Sequence, residues 1–299
     1  MNIKKFDSRF QILPIAKIIQ ENATTRTFVF EHNLGGRPGQ FLMMWIPGVD
    51  EKPMSIAFAD EKEFWVTVCA VGDFSQKLHT LHVGDKVGVR GPLGTHYKFR
   101  AGEHLALVAG GYGAAPMYFV AHEAVKIGCK VEFLSGARNK DLLLYSEKVL
   151  GLGVNLHIST DDGSAGFKGY VTQLLDQIMA AHPARHGGRL LQSTSRLSET
   201  LASSAQKIDQ VFACGPEVMM KAAGQVAEKH GVDAHMSMEK YMKCGIGVCG
   251  QCAIDDSGDL CCLKGPVMSW GYLKKLPEMG QYHRDAQGRK HYFFKPLAK

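Results

Sequence analysis

The chain has 299 residues, 45% apolar and 21% charged, with 35 Lys and Arg against 29 Asp and Glu for a net charge of +6. That apolar fraction excludes a disordered chain, 33 glycines without a three-residue period exclude collagen, and the length suits about two domains. Seven Lys and Arg against two Asp and Glu fall between Trp270 and Lys299, so the surplus reads as a solvated C-terminal tail, or one that docks on a partner subunit, rather than a basic stripe, and no nucleic-acid partner is expected.

Residues 10–100 carry short apolar runs at Gln11–Ile19, Thr25–Phe30, Gln40–Ile46, Phe64–Val71 and Lys86–Val89, separated by Gly/Pro turns. This pattern predicts a small antiparallel barrel. From about residue 101 strands and helices alternate. Leu105–Ala109, Val131–Ser135, Val154–Ser159 and Val211–Cys214 read as strands. The stretch up to Ile127, Asp141–Val149, Gly169–Ala181 and Glu217–His230 read as helices. Such alternation predicts a doubly wound parallel α/β lobe. Residues 182–208 turn polar and Ser-rich and read as an insertion, with a helix near Leu197–Ala205. The expected segments are 1–100, 101–235 and 236–299.

Five of the eight cysteines cluster: Cys244, Cys249, Cys252, Cys261 and Cys262. A C-x4-C-x2-C run with a later Cys is the plant-type [2Fe–2S] spacing. Gly245, Gly247 and Gly250 let the loop curl, so that amide N–H groups can reach the sulfurs. Zinc more often uses paired knuckles; buried free cysteines are the plainer alternative. The spacing leaves Cys261 and Cys262 both open as the fourth ligand. Cys69, Cys129 and Cys214 read as small packing residues.

Two further turns lie at strand ends of the α/β lobe. Gly110-Gly111-Tyr112-Gly113-Ala114-Ala115-Pro116 joins a strand to a helix, where amide groups and the helix start favour a pyrophosphate. Cys214-Gly215-Pro216-Glu217-Val218-Met219 ends another strand. Alone, either is a simple strand-to-helix turn. Lys52-Pro53-Met54-Ser55 offers a cation and a hydroxyl, and alone is a surface loop. Residues 1–7 hold no apolar signal core, and the longest uncharged apolar-rich stretch, Leu105–Ala121, contains three glycines and Pro116. No membrane insertion and a cytoplasmic location are therefore expected.

In order, these motifs resemble the ferredoxin-reductase-like flavoproteins, and with the Cys segment the electron-transfer subunits of NAD-linked dihydroorotate dehydrogenases. The resemblance implies FAD on the barrel, one [2Fe–2S] cluster and NAD. It matches Lys52, Pro53, Met54 and Ser55 to the flavin motif, although Lys52 stands where Arg is usual. Thr67, Val68 and Cys69 match the next flavin-contacting strand. Phe74 and Ser75 match a Gly-Thr pair. Gly110, Gly111, Gly113 and Pro116, with Cys214, Gly215 and Pro216, match the nicotinamide lobe. Cys262, followed by Leu263-Lys264-Gly265-Pro266-Val267, matches the fourth cluster ligand beside Cys244, Cys249 and Cys252. It implies no catalytic acid or base on this chain, since the cofactors carry the chemistry. The implied partner is an FMN-containing dihydroorotate dehydrogenase catalytic subunit, two copies of each, in pyrimidine biosynthesis. The alternative is a diaphorase-type subunit of a soluble hydrogenase or sulfite reductase.

Overall fold

The computed structural model describes residues 9–182 and 207–294. The first seven strands are antiparallel: β1 (Gln11–Pro14), β2 (Lys17–Gln20), β3 (Thr25–Phe30), β4 (Phe41–Ile46), β5 (Asp50–Ala59), β6 (Phe64–Cys69) and β7 (Lys86–Leu93). Their order is β1-β7-β4-β5-β6-β3-β2. The strand expected over Gln11–Ile19 breaks at its centre. Ile15 N–H donates to the Asp85 carbonyl at the start of β7, while Ala16 N–H donates to the Val29 carbonyl of β3, both at 2.9 Å. The chain passes from one sheet edge to the other within two residues and closes the barrel, leaving fewer open edges.

Strand β5 was not expected from the sequence, because charged residues and Pro53 break its apolar alternation. Its first half pairs with β4 and its second half with β6. Phe28, Phe30, Phe64, Leu42, Met44 and Ile56 fill the barrel and are fully buried. Phe30 and Phe64 stand opposite in register with their rings stacked at 4.9 Å. A short helix α1 (Asp73–His79), also unforeseen, follows β6.

The second sheet holds β8 (His104–Gly110), β9 (Lys130–Ala137), β10 (Asn155–Thr160), β11 (Phe167–Lys168), β12 (Gln210–Cys214) and β13 (Asp233–Ser237), all parallel. A strand from the Cys segment, β14 (Val267–Ser269), adds antiparallel to β13. The order is β11-β10-β9-β8-β12-β13-β14, so the winding reverses between β8 and β12. Every residue of β8 is buried, as a strand covered on both faces requires, which is why it reads as an unbroken apolar run.

The main helices of this lobe are α2 (Ala114–Lys126), α3 (Ser146–Leu150), α4 (Val171–Ala181) and α5 (Glu217–Lys229). The helix expected over Asp141–Val149 is instead a 3₁₀ turn, Lys140–Leu142, and the short α3. Tyr145 breaks them apart in the left-handed region at φ +65°. Helix α2 lies between sheet and barrel. Its Tyr118 ring is parallel to Trp65 at 6.2 Å, and its His122 stands edge-on to Phe58 at 5.1 Å. One apolar core therefore runs from the barrel through α2 into the sheet. A second covers the opposite sheet face and takes in Met43, Cys252, Cys261, Cys262 and Trp270.

The described part of the basic tail is folded. A hairpin, β15 (Tyr282–Arg284) and β16 (Lys290–Tyr292), follows a helical turn at Trp270–Leu273. Arg284 and Lys290 pair with Asp255 at 2.9 and 3.7 Å, and Lys274 with Glu228 at 2.5 Å. Arg284, Lys290 and Lys274 are thus paired with carboxylates of the body while their side chains stay partly open to solvent. Among the described residues no helix is long and apolar enough to cross a membrane. The expected Leu197–Ala205 helix lies outside the described residues, with most of the 182–208 stretch.

Candidate functional site

The two Gly-bearing turns of the α/β lobe touch at the reversal point. A Cβ on Gly113 would stand 2.0 Å from the Cys214 carbonyl oxygen, and one on Gly215, at φ +147°, 2.8 Å from the Gly110 carbonyl. Only glycine lets the turns close to this distance. Gly110 packs on Met219 and Pro216, which gives the spacing from Cys214 to Met219 its purpose. Gly111–Gly113 form a 3₁₀ turn, and Pro116 is buried in the first turn of α2. The start of α2 thus faces the crevice between β8 and β12, where ligands of open α/β sheets bind and where helix N–H groups suit phosphate. Cys214 is buried; burial pushes its thiol up to about 12, so it stays neutral at physiological pH.

The cysteines of the third segment stand as two pairs. Cys244 Sγ accepts N–H bonds from Val248 and Cys249 at 3.3 and 3.4 Å, and its side chain also bonds that of Cys249. Burial opposes its ionisation, but these bonds prevail and pull it down to about 7. Cys252 Sγ accepts the Cys262 N–H at 3.4 Å, and the two thiols bond each other. The hydrogen bond from Cys262 pulls Cys252 down to about 6, while Cys262, as the donor, is pushed up.

Cys261 turns away. Its Sγ approaches the Met238 carbonyl at 4.0 Å, and burial pushes it up to about 12. The adjacent pair can diverge because residues Cys261–Lys264 form a helical turn rather than extended chain. Gly245, Gly247 and Gly250 all take positive φ, as the tight loop demands. Among the described residues no three His, Cys, Asp or Glu side chains close on a single point. All eight cysteines are free thiols.

Gly265-Pro266-Val267 anchors this turn. Thr95 N–H donates to the Gly265 carbonyl at 2.7 Å, Thr95 Oγ1 donates to the Val267 carbonyl at 2.8 Å, and Met238 N–H donates to the Pro266 carbonyl at 2.9 Å. The loop after β7 and the end of β13 together fix how Cys262 is presented. The sequence could not reveal Thr95, which lies 172 residues from Val267.

Residues 239–245 touch all three motifs. Tyr112 of the nucleotide turn donates to Glu239 at 2.8 Å. Tyr241 lies under Lys52, 5.0 Å from Nζ to the ring centre. Gly245 sits on Met43, the β4 partner of Pro53. Neither Glu239 nor Tyr241 carries a spacing signal, because their partners are more than a hundred residues away.

The flavin-motif residues are placed unevenly. Lys52 to Ser55 lie within β5 rather than in a loop, half-buried up to the exposed Ser55. Lys52 pairs with Asp50 at 2.6 Å. Burial works against its charge, but Asp50 and Tyr241 outweigh it and hold Lys52 protonated. Strand β6 alternates, so Val68 points into the barrel while Thr67 and Cys69 point outward. The Val68 carbonyl pairs with His79 Nε2 at 2.9 Å, and Cys69 lies by Thr24. Phe74 is in the barrel core. The Ser75 hydroxyl accepts from Val71 and Gly72 N–H at 2.9 and 3.0 Å, capping α1. What Phe74 and Ser75 can offer a ligand is their backbone.

A barrel, a doubly wound lobe with glycine turns at its switch point and a four-thiol loop define a ferredoxin-reductase-like oxidoreductase with an iron–sulfur segment. Residues 107–225 match the oxidoreductase NAD-binding domain, and residues 239–274 match the iron-sulfur cluster binding domain of dihydroorotate dehydrogenase B. A protein of Methanocaldococcus jannaschii, a probable dihydroorotate dehydrogenase B (NAD(+)) electron transfer subunit, is 40% identical over 94% of this chain and 98% of its own length. One of Methanothermobacter thermautotrophicus with the same description is 37% identical over 94% of this chain and 96% of its own. Among solved structures, an NADH-dependent reduced ferredoxin-NADP oxidoreductase superposes with TM-score 0.72 at 27% identity, covering 87% of this chain and 89% of that one. The chain belongs to the family of dihydroorotate dehydrogenase B (NAD(+)) electron transfer subunits.

Proposed function

We propose that this chain carries electrons between an FMN-containing dihydroorotate dehydrogenase catalytic subunit and NAD, with FAD and one [2Fe–2S] cluster as its own cofactors. The family supports this over a hydrogenase or sulfite-reductase diaphorase. The observation that carries it is the hub at residues 239–245, which brings the nucleotide turn, the flavin strand and the thiol loop into contact.

Cys244 with Cys249, and Cys252 with Cys262, would each supply one iron with two thiolates. Their amide N–H bonds fit sulfur that carries negative charge. Lys52, Pro53, Met54 and Ser55, with the edge of β6 and the start of α1, would hold the flavin; the turns at Gly110–Pro116 and Cys214–Pro216 would hold NAD. Lys52 is committed to Asp50 and Tyr241, so its part in the flavin site is a shared one. These cofactors supply the chemistry: a cluster passes single electrons, nicotinamide accepts hydride, and flavin exchanges either. The chain's own residues bind, orient and insulate them. We further assign segments 1–100, 101–235 and 236–299 to flavin, nucleotide and cluster, a complex of two copies of each subunit, and a cytoplasmic location.

Anaerobic purification with metal and flavin analysis tests the cofactor assignment. Two irons per FAD is the expected ratio; four irons, or zinc, overturns it.

A further inference from the structure

A closed ring of polar contacts joins the barrel to the α/β lobe, and of its members only Thr67 belongs to a cofactor motif. The Tyr145 hydroxyl lies 2.7 Å from Thr67 Oγ1 and 3.1 Å from Thr27 Oγ1. Thr67 and Thr27 are 2.8 Å apart, and Thr27 donates to Glu21 at 2.6 Å. Lys148 of α3 pairs with the same Glu21 carboxylate at 2.8 Å and lies over the Tyr145 ring at 4.5 Å. Glu21, Thr27 and Thr67 belong to the barrel; Tyr145 and Lys148 belong to the α/β lobe.

The carboxylate fixes the direction of the chain. It only accepts, so Thr27 gives it its one proton. Thr67 then donates to Thr27, and Tyr145 donates to Thr67. Each hydroxyl gives once, and a chain of this kind is stronger than its separate bonds. Thr27 is fully buried and Tyr145 is 4% exposed. Burial keeps the Tyr145 phenol protonated and able to donate. Tyr145 also sits in a backbone region that L residues adopt at a cost. The strain persists because the side chain is held from the other lobe.

We propose that Tyr145 is a positioning residue for hydride exchange, pinning the nucleotide lobe to the flavin barrel at one angle through Thr67 and Thr27. The inference rests on the reading of the two lobes given above. Hydride transfer needs near-contact geometry, and a misplacement of about 1 Å costs on the order of a hundredfold. The ring thereby gives Thr67 a function other than touching flavin.

The test uses the full chain carrying FAD and cluster, with the variants Tyr145→Phe, Thr67→Val and Thr27→Ser. Three quantities are read: FAD per chain, the charge-transfer absorbance when NAD+ is added to reduced protein, and the anaerobic rate of flavin bleaching by NADH. Tyr145→Phe and Thr67→Val should keep FAD, weaken the charge-transfer band and slow bleaching about tenfold or more. Thr27→Ser, which keeps the hydroxyl bonded to Glu21 and Thr67, should behave as wild type. A Tyr145→Phe protein with wild-type band and rate overturns the proposal. So does loss of FAD in Thr67→Val with Tyr145→Phe unaffected, which would make Thr67 a flavin ligand. Wild-type protein that binds no FAD, or is not bleached by NADH, would instead overturn the functional reading.

Discussion

Gly113 and Cys214 are pressed together so closely that a methyl group on the glycine would stand 2.0 Å from the Cys214 carbonyl oxygen. Gly113 lies in the turn after β8 and Cys214 ends β12, strands that are neighbours in the sheet although the residues are about a hundred positions apart in sequence. This contact joins the two turns at one crevice.

Gly113→Ala must therefore push the turns apart, since the obstructing atom is backbone and cannot rotate away. The expected cost is about 3 kcal/mol of stability, with weaker binding of NADH. Thermal unfolding and NADH titration read both. A variant with wild-type stability and affinity would show that the turns are not rigidly joined.

Cys262→Ser should lose the iron, whereas Cys261→Ser should keep it and lose only buried packing. Cys262 faces Cys252, while Cys261 faces the Met238 carbonyl. Iron and sulfide content with the visible spectrum decide this. The opposite result would transfer the ligand role to Cys261.

Glu132, 5% exposed, accepts bonds from His104 at 3.0 Å, Asn155 at 3.0 Å and His157 at 2.6 Å. Burial would raise its carboxyl, but the three donors outweigh burial and hold it well below the usual range. A depressed carboxyl stabilises the fold fully above the unfolded value of about 4.5 and progressively less as pH falls below it. Glu132→Gln should cost about 2–4 kcal/mol at pH 7, and the gap from wild type should narrow in acid. Denaturant melts at pH 7 and below pH 4.5 measure it; a constant gap would refute the linkage.

Asp255 holds the C-terminal hairpin through Arg284, Tyr282 and Lys290. Arg284 leads in drawing its carboxyl down to about 2. Asp255→Asn should free the hairpin, so that trypsin cuts at Arg284, Arg289 or Lys290 several-fold faster with the body intact. Unchanged cleavage would mean that other contacts hold it.

Much of this was legible in the sequence because it rests on local pattern. The run of β8, the C-x4-C-x2-C spacing and the glycine turns each declare themselves within ten residues. Strand β5 was hidden because its first half is partly exposed, charged and interrupted by Pro53. The break at Tyr145 was hidden because its cause lies in the barrel, at Thr27 and Thr67. The pairing of Arg284, Lys290 and Lys274 was hidden because their partners, Asp255 and Glu228, lie outside that stretch. The choice between Cys261 and Cys262 was open from spacing alone, and the helical turn anchored through Thr95 separates their directions.

The central claim is tested most directly by NADH formation from dihydroorotate and NAD+ in the complex purified from the native host through this chain. The account expects dihydroorotate-dependent NADH formation that disappears in Cys262→Ser while the partner still oxidises dihydroorotate with an artificial acceptor. A complex that forms no NADH from dihydroorotate, but does so from hydrogen or couples NAD(P)H to sulfite, would contradict it.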